Sequence, residues 1–314
     1  MTVSNNLKKE IIDKIDKTDS TSYIQSIYDN FLPDGYINQD CKPSEKLIFL
    51  KFDEFNNLID DFFTKLNKHY EYFEIEYFKY PKQTPINYSA RAIKDEKNKF
   101  LKKFIKVYEI IRDYFGAKLQ DENELYICPY CEKNYINLVY TDDKTLKPDL
   151  DHYYPKAFYP FLGCSIENLI PACQVCNSRL KRDEDFYIKK HINPIEYRLF
   201  DEIIFSYDQE GIMIENTNDL KKYTEKENYL NTFKIEEIYA IHNEILDDIK
   251  VKYKMYNKSK QYGLMKSCPS LAQNEILDMV FYEYKNENKR TPFRKLKKDL
   301  YNNIKKNSTN KILY

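Results

Sequence analysis

Glycine is scarce in this chain. Five residues, Gly35, Gly116, Gly163, Gly211 and Gly263, are spread over 314 positions. No two are close enough to build a phosphate-cradling loop or a dinucleotide fingerprint. ATP hydrolysis and NAD binding by this chain alone are therefore not expected. Net charge is missing too: 50 Lys and Arg balance 50 Asp and Glu, with a pI near 6.9. That excludes a uniformly basic nucleic-acid binder but leaves room for local basic patches. No stretch approaches the roughly 18–20 apolar residues that span a membrane. The opening MTVSNNLKKEIIDKIDK lacks the apolar run of a signal peptide. Seven cysteines are an odd number, so a complete disulfide framework within one chain is impossible. A reducing compartment fits better. Together these absences read as a cytoplasmic protein with no membrane contact.

What is present points to helix. Hydrophobic residues make up 42% of the chain, enough for a sizeable core. Long charged stretches rich in Lys, Glu, Ile and Leu favour helix. Ile48, Phe52, Phe55, Ile59, Phe62 and Leu66 step by four and three, which predicts one helical stripe. Phe100, Phe104, Val107, Ile111 and Tyr114 predict a second. Phe233, Ile238, Ile241, Ile245 and Ile249 predict a third. Between these regions, residues 123–215 change character. Prolines, cysteines and short alternating runs replace long helices. FDEIIFSYDQEGIMIE reads as a hairpin with Gln209-Glu210-Gly211 at its tip. The expected organisation is an N-terminal helical region (1–122), a small α+β insert (123–215) and a C-terminal helical region (216–314). The last ends in a basic tail, where residues 289–311 carry nine Lys and Arg against the single acid Asp299. That tail is expected to contact DNA phosphates or to pair with an acidic surface.

Two C-x2-C turns, Cys128-Pro-Tyr-Cys131 and Cys173-Gln-Val-Cys176, stand 41 residues apart. Four thiolates at such spacings are the ligand set of a tetrahedral structural Zn²⁺. With four sulfurs the shell is closed, so such a zinc cannot activate water. It pins the ends of a loop that contains DLDHYYPK, residues 149–156, and with it one of only four histidines. Alternation along a strand would send Asp151 and His152 to opposite faces. For both to meet one phosphate, the strand must end or bend there, and Pro155 fits such an end. The expected order is a strand with Asp151 and His152, a loop, a strand with Asn168, and a helix beginning near Asn177.

The segment DLDHYYPK…NLIPACQVCNSRLK resembles the HNH, or His-Me finger, endonucleases. It looks most like the subclass whose ββα-metal core is braced by a four-cysteine zinc site. The likeness covers about residues 125–195. It implies a metal-dependent hydrolase of DNA phosphodiester bonds. His152 would be the general base, and Asp151 and Asn177 would hold Mg²⁺ or Mn²⁺. Asn168 would bridge the loop and orient His152. Lys156, Arg179 and Lys181 are candidate phosphate contacts. Members often carry a lysine three residues after the last Asn, where this chain has Leu180. Asp149 reads either as a supporting acid or as a solvated strand residue. His191 is a further candidate beside the site. Such nucleases with helical extensions resemble bacterial anti-phage proteins, including Septu-type systems that pair with a separate ATPase. Homo-oligomers are a further expectation. The competing readings are a non-catalytic zinc module binding nucleic acid or a protein partner, and an RNase toxin.

Overall fold

The computed structural model describes residues 1–18, 43–69, 104–143, 145–195, 203–215, 223–270 and 291–310, with isolated positions at 95, 98, 102, 200, 275–276, 279–281 and 284. The described chain is mostly helical with small antiparallel sheets. Its contacts form two units. One joins Met1–Leu125 to Ile136–Lys190; the other joins Tyr126–Tyr135 to His191–Tyr314. This grouping differs from the three regions read off the sequence, because the ten residues around the first C-x2-C turn associate with the C-terminal half. Among the described residues, no helix is long and apolar enough to cross a membrane.

In the first unit, helix α1 (Asn5–Ile15) buries Leu7, Ile11 and Ile15 at a spacing of four. Ser4 caps it by accepting from the Leu7 N–H. The expected stripe from Ile48 to Leu66 is divided. A short helix (Pro43–Ile48) and a 3₁₀ turn (Phe52–Glu54) precede the helix Phe55–His69. Ile48, Phe55, Ile59 and Phe62 are buried as expected. Phe52 stacks against Tyr154, with ring centroids 5.9 Å apart.

Residues 104–110 are helical and run through a π turn, Ile111–Phe115, into the helix Gly116–Glu122. Phe104, Val107 and Ile111 are buried, but Tyr114 is 59% exposed. The π turn explains the miss. Its wider i→i+5 winding advances the phase of the helix. Phe115 and Leu119 turn inward where a regular α-helix would have placed Tyr114. Phe100 lies outside the described residues.

Strands β1 (Val139–Tyr140) and β2 (Thr145–Leu146) form a short antiparallel ladder. Beside this helix, strands β3 (Asp149–His152) and β4 (Leu169–Ala172) form an antiparallel pair with Asp151 opposite Ile170 and His152 opposite Leu169. β4 leads into a π-helical segment, Val175–Lys181. Asn168 closes a 3₁₀ turn one residue ahead of β4 instead of lying in the strand. The run NYINLVY supplies only two residues, Val139–Tyr140, to a ladder with Thr145–Leu146.

In the second unit, the predicted hairpin forms as Ile204–Tyr207 against Ile212–Glu215. Its tip is held by Asp208, which accepts from the N–H groups of Glu210 and Gly211. Gly211 has φ +136°, a conformation that disfavours a side chain. The third predicted stripe is broken into three helices, Tyr223–Phe233, Ile235–Ala240 and Asn243–Met255. Lys234 lies in left-handed conformation at the first break. Ile241 falls in the second and is 69% exposed. The helix Arg294–Asn310 buries Leu296, Leu300, Tyr301 and Ile304.

That last helix engages two of the basic tail's cations in ion pairs within the chain. Arg294 is 8% exposed and pairs with Glu132 at 3.4 Å. Lys295 pairs with Asp299 at 2.6 Å. Lys289, Arg290 and Lys311 lie outside the described residues. Asp299 also accepts from the buried N–H of Phe205 at 2.9 Å, tying the helix to the hairpin. Removing one partner of a buried hydrogen bond strands the other. Asp299→Ala should therefore lower stability by about 1–3 kcal/mol in urea unfolding. A loss under about 0.5 kcal/mol would show that the Phe205 N–H finds another acceptor.

Candidate active site and metal centre

The Sγ atoms of Cys128, Cys131, Cys173 and Cys176 all lie within 4.8 Å of one another. The first turn is closed by Glu132 N–H donating to the Cys128 carbonyl at 2.9 Å and by Cys128 N–H donating to Asn134 at 2.9 Å. Glu132 adopts φ +44°, which lets the chain fold back under the sulfurs. In the second unit, the Tyr229 hydroxyl donates to the Tyr130 carbonyl at 2.8 Å and Tyr239 donates to the Cys131 carbonyl at 2.7 Å. Tyr130 also stacks on Phe233 at 4.4 Å. The second cysteine turn runs straight into the π segment, with Asn177 N–H donating to Cys173. Four cysteines brought this close are free thiols, not disulfides, and could bind a metal such as zinc. Four thiolates fit zinc's preference for a tetrahedral sulfur shell. Fresh protein should carry one zinc per chain by elemental analysis, and Cys176→Ser should lose most of it. Folded protein without zinc would refute the assignment.

The β3–β4 pair forms one wall of a cavity of about 590 Å³. Asp149, Asp151, His152, Lys156 and Asn177 all line it. So do Tyr108, Arg112, Lys147 and Arg182, which the sequence did not single out. Three of these four are cationic, and Asp183 adds an acid at the same rim.

His152 is buried at the end of β3. Its Nε2 lies 3.0 Å from the Gly163 carbonyl oxygen. A carbonyl only accepts, so this bond needs the proton on Nε2. Nδ1 then keeps the lone pair. The ring packs on Tyr108, with centroids 4.5 Å apart. Burial, followed by the charge of Lys156, pushes its pKa down to about 3. The imidazole is therefore neutral at pH 7.

Asn168 is wholly buried, and its side chain makes no hydrogen bond to His152. Its Oδ1 accepts from Tyr154 N–H at 2.8 Å, and its Nδ2 donates to the carbonyls of Tyr154 and Leu162, both at 3.1 Å. It acts on His152 through the loop: Leu162 precedes the glycine whose carbonyl receives the imidazole. Asn177 Nδ2 donates to Asp149 Oδ2 at 3.1 Å, so Asp149, not Asp151, is its direct partner.

The three predicted phosphate contacts separate. Lys156 is half-buried with its ammonium 4.6 Å from the Tyr108 ring centroid. Burial, then the neighbouring Arg112 charge, lowers its pKa. Arg179 is exposed but does not line the cavity. Lys181 is 2% exposed; its ammonium donates to Asp151 Oδ1 at 3.1 Å and to the His152 carbonyl at 2.7 Å. This corrects its reading as a phosphate contact. The π winding turns Lys181 under the strand pair and sends Arg179 outward. His191 does not line the cavity either. It is buried, with Nε2 2.9 Å from the Thr232 hydroxyl.

Tyr108 and Arg112 sit four residues apart on one helical face, where side chains are neighbours. That spacing was the available signal for them. It was hidden because Tyr108 looks like any other aromatic of the stripe. Comparison with protein families, curated proteins and solved structures found no match.

The buried Lys181–Asp151 pair separates the two flanking cations. Lys181→Met leaves a buried carboxylate uncompensated and should cost about 3–5 kcal/mol. Arg179→Met should change stability by less than about 0.5 kcal/mol. Equal effects in chemical unfolding would contradict the inward placement of Lys181.

Proposed function

We propose that the cavity hydrolyses a nucleic-acid phosphodiester, with DNA as substrate. The observation that carries this is the tautomer of His152. A neutral imidazole with its Nε2 proton fixed on a carbonyl offers Nδ1 as a base, in a cavity lined by both carboxylates and cations. A lone buried histidine serving only as packing would not need Asp149, Asp151 and Asn177 around it. The resemblance to HNH endonucleases rests on these same residues.

Carboxylates and an amide carbonyl are the hard oxygen donors that Mg²⁺ or Mn²⁺ takes. Asp151, Asn177 and Asp149 would hold such an ion, which when bound would stabilise negative charge on the phosphate and the departing oxygen. Asn177 spends its amide N–H on Asp149, so its carbonyl oxygen is the donor atom it offers. His152 Nδ1 takes a proton from the attacking water, and the resulting imidazolium is retained by the Gly163 bond. Lys156 and Arg112, both against the Tyr108 ring, hold phosphate oxygens. The negative charge of a bound phosphodiester offsets the repulsion these cations exert on a protonated His152. Asn168 keeps the loop, and hence the imidazole, in register. A role in anti-phage defence, with a separate ATPase subunit or a second copy of the chain, belongs to the same reading and rests on the resemblance alone.

Supercoiled plasmid incubated with the protein and Mg²⁺ or Mn²⁺ should be cut, and EDTA should stop it. His152→Ala should slow cleavage by roughly 10²–10⁴-fold, the usual contribution of a positioned base, while zinc content is retained. Wild-type rates in that variant would move the base elsewhere. Cutting of RNA in place of plasmid would favour an RNase, and binding without cleavage a non-catalytic zinc module.

A further inference from the structure

The C-terminal tail is expected to contact DNA phosphates or an acidic surface, and two of its cations are tied internally. A different part of the second unit carries uncompensated charge. From Ile249 to Asn274 the chain contains no Asp or Glu, yet it holds six lysines, at 250, 252, 254, 258, 260 and 266. In a protein whose acids and bases balance, this is a local excess. Lys252 is paired with Asp248. Lys254, Lys258, Lys260 and Lys266 are exposed, and among the described residues none has an ion-pair partner.

The helix Lys258–Ser267 is unusual in its burial. Its only buried residue is Gln261, whose side chain donates to the Tyr256 carbonyl. Asn257 caps it by accepting from Lys260 N–H. The helix therefore adds little to the core, and its outward residues are not there for packing. Lys258, Tyr262 and Lys266 recur at i, i+4 and i+8, which aligns them along one face over about 12 Å. Tyr262 stands midway between the two lysines in this row and is 70% exposed. Beside it, Gly263 has nothing within 4 Å of where a Cβ would stand. Glycine weakens a helix interior relative to alanine, and no contact requires it here. It leaves bare backbone next to the ring.

We infer that this helix is a binding surface for single-stranded nucleic acid. A cation–aromatic–cation row matches a strand that offers phosphates to the lysines and an unpaired base to the ring. A duplex presents phosphates but keeps its bases stacked inside, so it has no use for Tyr262. The inference takes its substrate class from the proposed nucleolytic reading, but the surface binds whether or not the cavity cuts.

The test is fluorescence anisotropy with a labelled oligothymidylate, without Mg²⁺ or Mn²⁺, on the full chain carrying His152→Ala. No cleavage is possible there, so failure of the chemistry and failure of the surface are read separately. Tyr262→Ala should weaken binding roughly tenfold, as for the loss of one stacked base, and Tyr262→Phe should restore it. Replacing Lys254, Lys258 and Lys266 together by Gln should reduce the slope of log K against log salt by about 2, at about 0.7 per phosphate contact. The helix is peripheral to the core, so circular dichroism and zinc content should not change. Unchanged affinity in both variants would overturn the proposal, including where the surface instead holds an acidic protein. A salt slope that falls while Tyr262→Ala binds normally, with duplex bound as tightly as single strand, would also overturn it.

Discussion

The side-chain amide of Asn168 is the constraint on which the candidate site depends. It is fully buried and makes three hydrogen bonds, each to the backbone of the loop between β3 and β4. A fourth bond, from Tyr153 N–H to the Asn168 carbonyl, closes the base of the same loop. A sixteen-residue excursion closed only at its strand ends would sample many shapes. With Asn168 in place, the Leu162–Gly163 segment returns to His152, and the Gly163 carbonyl selects the imidazole tautomer. Buried polar groups that are fully satisfied specify one arrangement. Here that arrangement sets which nitrogen carries the lone pair.

Charge in the cavity follows from the same packing. Asp151 and Lys181 are both removed from water, and each limits what the other can do. The lysine neutralises a carboxylate that would otherwise be costly to bury, and it satisfies the carbonyl of His152. The cations left to the cavity are then Arg112, Lys147, Lys156 and Arg182. Arg112 is itself held by Asp113, which keeps it fully charged and fixes its direction. Lys147 donates to the Arg112 carbonyl. The rim is thus an ordered network built from the helix of residues 104–122 and the chain leading into β3.

Tyrosine carries more of the structure than composition alone suggested. Tyr229 and Tyr239 donate to carbonyls of the first cysteine turn. Tyr159 donates to both oxygens of the buried Asp185. Tyr108 packs on the candidate base. Each has a large apolar body and one polar tip, so it can fill a core and satisfy a buried backbone group at once. A high tyrosine count says nothing about which of the 30 do this.

The sequence alone determined the features whose physics is local. Two sulfurs on a C-x2-C turn point the same way wherever the turn sits, so the cysteine pairs were legible, as was the hairpin at 204–215 with its Asp-x-x-Gly tip. Asp151 and His152 could meet one phosphate only if their strand ended or bent there, and β3 ends at His152. Tertiary structure decided everything that depends on helical phase or on distant partners. Two π turns shifted the register, turning Tyr114 outward and Lys181 inward, and no periodicity count at 3.6 residues per turn anticipates that. Tyr108 and Arg112 joined the cavity from about forty residues upstream. Arg294 and Lys295 lost their availability to Glu132 and Asp299, one partner some 160 residues away and the other a single helical turn away. A side chain's charge is written in the sequence; whether that charge faces water, a carboxylate or a cavity is fixed only when the chain packs.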